Sequence, residues 1–412
     1  MYDLILSMRQ WSKAGRNGFL WGAFMAVAVL SGALTWWLRD AFNIPDSYQY
    51  LAMANRQRDL IMLPFASRQL GVLIVQALSS LLHLSIEQSF VVEGGLCFVV
   101  FLGVVLYLLG RSSVPWWMIP AVVGMAFWPL QLDDLVLPDL LYAALLCGFL
   151  LLLWRSHLMM AALMLFPLMV ARESTMLTIV CLLIAGRRRL HIREMVVAVL
   201  ATGAGMLVVR HLTADAMPNK EHISPLFYLA AKMPWNLMKN VLGLNLWANV
   251  YQSCAVPKWQ MPVHLGPLHA IGLCSVNFEG ALSALALALA SFGLLPLLLF
   301  KLRRACDGLD DRPDKGIFLR FCILYGGVSF LLTPLLGVSF LRLYFYGWPL
   351  FLVALPILMA EAKTSFRSNG AAVLFLAMHL TLSWTTFHIN DWTVFVVALI
   401  TYPVGGFLLW QV

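Results

Sequence analysis

The chain has 412 residues, 61% of them hydrophobic and only 12% charged, with a mean hydropathy of +0.83. Soluble domains carry about a quarter charged residues, so this composition excludes a soluble globular enzyme and indicates a membrane protein. The net charge of +8 comes from cations in short loops between apolar runs. There they set topology and meet lipid headgroups, which argues against nucleic acid as a partner.

A basic stretch with Arg9, Lys13 and Arg16 precedes the first apolar run, residues 18–38. Ser31-Gly32-Ala33 resembles a signal-peptidase site, but hydrophobic residues continue past it, so an uncleaved anchor is expected. Further runs occupy 90–110, 115–132, 137–154, 157–170, 174–186, 194–210, 280–300, 317–337, 344–360, 370–387 and 392–411. Together these predict an all-α fold, a polytopic transmembrane helical bundle of about 12 spans forming one domain over residues 1–412. Threaded from a cytoplasmic N-terminus, the bundle puts the basic loops 187–193, 301–315 and 361–367 inside, as the positive-inside tendency requires, and returns the C-terminus to the cytoplasm.

The apolar segment 69–84 would reverse every later loop if it crossed the membrane. It is therefore assigned as a juxtamembrane helix on the periplasmic surface, inside a first external loop of residues 39–89. A second external region, 211–267, holds Pro218, Pro225, Pro234, Pro257 and Pro262 with Trp235, Trp247 and Trp259. That composition predicts short interfacial helices. Cys97, Cys147, Cys181, Cys254, Cys274, Cys306 and Cys322 are scattered and read as small core residues, with neither a metal-ligand spacing nor a disulfide frame. No internal repeat is visible, which weighs against an inverted-repeat transporter.

Pro45-Asp46-Ser47-Tyr48-Gln49-Tyr50-Leu51 sets a carboxylate just past the first span. Asp46 to Gln49 also fits a capping box, so Asp46 reads equally well as a helix cap; a capping carboxylate is also a rigidly held one. Tyr50 lies one turn on and shares its face. A second acidic group, Asp133, Asp134 and Asp139, stands at the outer end of the third span. Asp139 again precedes a helix, and capping is again the simple reading. Three carboxylates so close together are costly unless solvated or paired, and the spacing leaves open whether they bind a divalent cation or orient hydroxyls.

Arg68, Arg172, Arg210, Lys220, Lys232, Lys239 and Arg342 fall on the same side as Asp46 in this threading. Arg172-Glu173 sits at a hairpin tip, where mutual ion pairing is the plain expectation. Arg342 either snorkels to the surface or grips a phosphate through both its nitrogens. His211 and His222 read as interfacial polar residues or as aids to an acceptor. No histidine pair has metal spacing, and no phosphate-cradling glycine loop occurs.

These stretches, in this order, resemble the GT-C superfamily of integral-membrane glycosyltransferases. The likeness is closest to bacterial relatives of the protein O-mannosyltransferases and of the aminoarabinose transferase acting on lipid A. Asp46-Ser47-Tyr48-Gln49-Tyr50 is similar to that superfamily's first-loop acidic motif, and Arg68-Gln69-Leu70 to the start of its juxtamembrane helix. Leu137-Pro138-Asp139-Leu140-Leu141 resembles its second-loop acid, and Arg342 with Tyr344 and Pro349 its late Arg-Tyr…Pro segment. The first-loop motif lacks a second acid beside Asp46, which puts metal dependence in doubt.

The resemblance implies an inverting transfer of a sugar from a polyprenyl-phosphate donor to a glycan, lipid or other acceptor at the outer face of a bacterial inner membrane. It assigns Asp46 as general base and Asp139 as its support or as an acceptor-positioning group. Arg342, Arg68 and Arg172 with Tyr344 would hold the donor phosphate. Tyr50, Asp133, Asp134, Glu173, His211 and His222 would be auxiliary. A divalent cation is the one cofactor it leaves open. The competing readings are a transporter or flippase of lipid-linked glycans, and a polymerase or ligase using the same donors.

Overall fold

The computed structural model describes residues 22–33, 45–57, 65–112, 114–132, 135–214, 225–248, 251–252, 254–265, 268–301, 315–337, 339–362, 366, 368–387 and 390–410. The described chain is mostly helical. Four helices are long and apolar enough to cross a membrane: α4 (Ile86–Arg111), α10 (Ile192–Leu212), α14 (Gly316–Leu336) and α18 (Asp391–Trp410). Two further candidates are bent. α12 (Glu279–Ala290) meets α13 (Leu295–Lys301) at 67°, and α15 (Phe340–Gly347) meets α16 (Pro349–Glu361) at 43°. Counting each bent pair as one gives six candidate spans among the described residues.

The remaining predicted spans are short. α1 (Gly22–Ala33), α7 (Asp139–Trp154), α8 (Leu158–Ala171), α9 (Thr175–Gly186) and α17 (Asn369–Trp384) are apolar but have at most 16 residues. At about 1.5 Å per residue the described part of each falls short of the roughly 30 Å of a hydrocarbon core. The predicted span 115–132 divides into α5 (Met118–Val123) and α6 (Phe127–Leu130) around Gly124, where an added Cβ would lie 2.8 Å from the Pro120 carbonyl oxygen.

Broken helices free backbone groups that no water can satisfy at membrane depth. Here α17 satisfies them. His379 Nδ1 accepts from the Leu294 N–H at 2.9 Å, and its Nε2 bonds the Ala121 carbonyl at 2.7 Å. Ser383 Oγ accepts from the Ala126 N–H at 3.1 Å, and the Trp384 indole donates to the Gly124 carbonyl at 2.8 Å. One helix thus closes both breaks. Gly293, at φ +52, is needed at the second of them, because a Cβ there would fall 2.4 Å from His379 Nδ1.

In the first loop, α2 (Pro45–Ala54) and α3 (Gln69–Leu82) pack together through Tyr50, Met53, Val72 and Val75. The outer face of α3 leaves Leu73, Leu81 and Leu82 exposed, as a helix lying in a lipid surface would.

The second external region departs from expectation. One helix, α11 (Pro225–Leu242), is followed by β1 (Leu244–Ala248), β2 (Tyr251–Gln252), β3 (Trp259–Leu265) and β4 (Leu268–Val276). They form an antiparallel sheet in the order β2-β1-β4-β3, so the all-α expectation fails here and the region runs to residue 276. Gly243, at φ +68, ends α11 in the left-handed conformation and turns the chain straight into β1. Pro262 bars a helix but is tolerated in β3, an edge strand. Cys254 and Cys274 form a disulfide across the sheet with their Cα atoms 5.9 Å apart, correcting their assignment as free core residues. Their spacing of 20 residues fits no recurring motif, so pairing became visible only once the strands were in register.

An aromatic layer lies within the core. Phe127 stacks on Phe345 with centroids 5.5 Å apart, and Phe101 meets Trp348 at 4.8 Å. This layer ties α4, α6, α15 and α16 into one core cluster directly under the polar residues of α7 and α15.

Candidate active site

Five separate stretches of chain bring charges to one place. α2 carries Asp46, the turn before α3 carries Arg68, α7 begins with Asp139, the α8–α9 tip carries Arg172 and Glu173, and α15 carries Arg342. Arg342 joins the two acids. Its Nη1 donates to Asp46 Oδ2 at 2.7 Å and its Nε to Asp139 Oδ2 at 2.5 Å. The other Asp139 oxygen, Oδ1, accepts from Arg172 Nη1 and from the Tyr346 hydroxyl. Arg172 Nη1 also donates to the Tyr346 oxygen, and its guanidinium lies 4.6 Å from the centre of that ring.

Asp139 and Arg172 are each 6% exposed, so this pair is a buried one whose charges depend on each other. Asp46 differs. A third of its side chain is exposed, and Oδ1 has no hydrogen-bond partner among the described residues. One oxygen is fixed by Arg342 and the other is left open. Asp46 lies in the first turn of α2, and its carboxylate is engaged by Arg342, which ties it to the site.

A second ionic group adjoins the first. Arg68 grips Glu173 through Nη2 to Oε1 at 2.6 Å and through Nε to Oε2 at 3.1 Å, and its Nη1 donates to Tyr50 at 2.8 Å. Ser67 Oγ donates to Glu173 Oε2 at 3.3 Å. Burial alone would push the Glu173 carboxyl up; the Arg68 guanidinium overrides it and holds the group down at about 2. Arg172 and Glu173, neighbours in sequence, therefore do not pair with each other. Arg172 turns inward to Asp139 and Glu173 turns to Arg68, because adjacent residues at a turn point in different directions and each finds a better-placed partner.

Two guanidinium nitrogens remain without acceptors. Arg342 Nη2 and Arg172 Nε are buried and unbonded among the described residues. Arg342 and Asp139 also line a cavity of about 300 Å³ whose other walls include Phe127, Leu137, Leu287, Phe292, Phe340 and Phe345. The cavity is largely apolar apart from its charged end and the polar side chains of Gln131, Ser291 and Ser339. A larger groove of about 750 Å³ lies between α11, α12 and α14, lined by Leu285, Ala288, Phe330, Leu331 and Tyr344.

Tyr344 is not part of the ionic centre. Its hydroxyl donates to the Ala284 carbonyl at 3.0 Å, and its ring packs on Phe330 at 4.8 Å. Tyr346 takes the place expected for it. The register explains this: Arg342 and Tyr346 are four residues apart and share a helix face, whereas Tyr344 is two away and points elsewhere. His211 is exposed on the last turn of α10 and makes no side-chain contact with the centre. Asp133, Asp134 and His222 lie outside the described residues.

The donor set does not suit a divalent cation. Both oxygens of Asp139 are taken by cationic or hydroxyl donors, Glu173 is held by Arg68, and only Asp46 Oδ1 is open. Among the described residues no three His, Cys, Asp or Glu side chains group as metal ligands. No step is therefore routed through a metal. No protein-family model matches the sequence, and no curated protein matches it.

Proposed function

We propose that this protein is an inverting glycosyltransferase that moves a sugar from a polyprenyl-phosphate donor to a hydroxyl acceptor at the outer face of a bacterial inner membrane. The observation that carries the reading is Arg342 joining the partly exposed Asp46 to the buried Asp139 beside a largely apolar cavity. Asp46 Oδ1 takes the acceptor's hydroxyl proton. The freed oxygen attacks the anomeric carbon from the face opposite the phosphate, and the bond from that carbon to the phosphate oxygen breaks. The electron pair leaves on the polyprenyl phosphate, and the configuration inverts. A phosphate needs little help from a general acid; it needs cations where charge develops, and Arg342 Nη2 is an unbonded donor at that position. Asp139, fully bonded by Arg172, Tyr346 and Arg342, acts as a positioning residue. The groove along Leu285, Ala288, Phe330 and Leu331 accommodates the isoprenoid tail.

The Cys254–Cys274 disulfide supports an oxidising, non-cytoplasmic side for α11 and its sheet. The full count of about 12 spans with both termini cytoplasmic belongs to this proposal. The two bent helices are what a lipid-linked glycan transporter would need. At the α12–α13 bend, however, the freed Leu294 N–H is capped by the buried His379 ring and is not left open to a substrate.

The test is transfer of labelled sugar by the reconstituted protein, with mass analysis of cell-surface glycans as the source of the acceptor. Asp46→Asn is expected to abolish transfer while the protein still inserts. Full activity in that variant removes Asp46 as the base. Cysteine labelling at positions 46, 139, 188 and 342 is expected to find 188 inside and the other three outside.

A further inference from the structure

We infer that the cavity beside Arg342 holds the transferred sugar, that this sugar is neutral, and that the Ser291 hydroxyl bonds one of its hydroxyls. The inference rests on the glycosyl-transfer reading and adds to it a class of sugar and the residue that recognises it.

Ser291 stands where α12 ends. Its N–H donates to the Leu287 carbonyl at 2.9 Å, and the next residue, Phe292, stacks on Phe351 with centroids 4.5 Å apart. The chain then bends at Gly293 toward α13, where His379 holds the Leu294 N–H at 2.9 Å. The backbone of Ser291 is thus fixed from both sides. Ser291 is 7% exposed, and its Oγ is buried with no hydrogen-bond partner among the described residues. A buried hydroxyl without a partner is destabilising. Ser291 lines the same cavity as Arg342, so a ligand seated there is placed to supply the missing partner.

The rest of the cavity suits a sugar ring. At about 300 Å³ it lies at the small end of ligand sites. Phe127, Phe292, Phe340 and Phe345 wall it, and aromatic faces carry partial negative charge that attracts the C–H bonds along a sugar's apolar face. Gln131 and Ser339 add neutral polar groups, and the Gln131 amide is anchored by donating to the Phe127 carbonyl at 3.2 Å. Among the described residues lining the cavity, Asp139 is the one acid and is engaged on both oxygens. Arg342 is the one cation, and the donor phosphate claims it. An ammonium or carboxylate on the sugar would therefore enter without a counterion, which is costly in a poorly solvated site. The isoprenoid tail has a separate place. Leu287 and Ser291, four residues apart, line the cavity, whereas Leu285 and Ala288 of the same helix line the groove assigned to the tail.

The experiment measures binding to the full chain in nanodiscs for wild type, Ser291→Ala and Ser291→Leu. The probes are geranylgeranyl monophosphate and its glucosyl, galactosyl, mannosyl and xylosyl phosphodiesters, with glucosaminyl and glucuronyl phosphodiesters as charged comparisons, each sugar in both anomeric forms. At least one neutral sugar is expected to bind wild type about 10-fold tighter than the sugarless monophosphate. Losing one neutral hydrogen bond in Ser291→Ala should weaken that probe by about 2- to 10-fold. Ser291→Leu fills the cavity and should abolish the gain, and neither variant should alter monophosphate binding. Because the hydroxyl has no partner in the empty protein, Ser291→Ala should not lower its unfolding temperature. No gain from any neutral sugar, or a larger gain from a charged one, overturns the inference while the donor reading stands. So does a gain that survives both substitutions, or an equal loss for the sugarless monophosphate, which would put phosphate or tail in the cavity. Lower stability in Ser291→Ala with unchanged sugar binding leaves Ser291 a structural residue only. If wild type binds no isoprenyl phosphate, the donor reading and the inference fall together. Should Ser291→Leu not fold, Ser291→Ala, which only removes an atom, decides the matter alone.

Discussion

Asp139 offers the sharpest test of how the centre is held together. Its carboxylate accepts from Arg172 and Tyr346 on Oδ1 and from Arg342 at 2.5 Å on Oδ2, and it is 6% exposed. Asp139→Ala leaves two guanidiniums facing each other with their shared counterion gone. Removing one partner of a buried ion pair costs about 3–5 kcal/mol, because the remaining charge is neither solvated nor paired. Asp139→Asn keeps the shape and one acceptor oxygen, so its cost falls below that of alanine. The decisive comparison adds Arg172→Met to Asp139→Ala. If the penalty is an orphaned charge, the double variant recovers part of the loss, and the coupling between the two sites reaches about 0.5–3 kcal/mol, as expected for contacting residues. Reversible unfolding in mixed micelles, followed by tryptophan fluorescence, reads these differences. A loss below about 1 kcal/mol for Asp139→Ala, with additive behaviour in the double variant, would refute the counterion argument, since that is the scale of an ordinary surface pair.

Two further expectations separate the groups around it. Tyr346→Phe removes a hydroxyl that donates to the charged Asp139 and should cost about 1.5–3 kcal/mol along with a loss of donor use, whereas Tyr344→Phe should leave donor kinetics unchanged. Equal kinetic effects at both positions would contradict the helix register described here. The Arg68–Glu173 pair sets an acid limit. The Glu173 carboxyl falls from an ordinary 4.5 to about 2, so its contribution is complete above pH 4.5 and is lost as pH drops toward 2. Stability measured across that window should show a limb that Glu173→Gln flattens, and an unaltered limb in the variant would assign the acid transition to other groups.

Much of the site was legible in the sequence, because a charge at the end of an apolar run is costly unless it is solvated, paired or used. Asp46, Asp139, Arg68 and Arg342 stand out for that reason, and the structure brings all four together. What stayed hidden depends on direction in space. Arg172 and Glu173 read as a pair because they are adjacent, yet a turn sends them to different partners. Tyr346 is readable from its four-residue spacing to Arg342, a helical spacing that the nearer Tyr344 does not share. The sheet at 244–276 was obscured by its own prolines and tryptophans, which suit an interfacial helix as well as an edge strand. Span number was the least readable quantity. Apolar composition marks membrane depth, but the chain breaks at Gly124 between α5 and α6 and at Gly293 between α12 and α13, and His379 and Ser383 of α17, which close these breaks, are 85 or more residues from their partners.

The resulting division of labour within the centre follows from solvation. Asp139 and Arg172 sit at the dry end, where every charge must be answered within the protein, and they are answered by each other, by Tyr346 and by Arg342. Asp46 sits at the wetter end with an oxygen to spare, and Arg342 spans the two. A group whose bonds are all made cannot accept a proton without losing one, so under the proposed transfer the reacting role falls to the acid that is incompletely bonded. The buried half fixes the angle of Arg342, and Arg342 in turn fixes Asp46. A change at Asp139 should therefore appear first as misplaced transfer chemistry in any variant that still folds, and only secondarily as weaker acceptor binding.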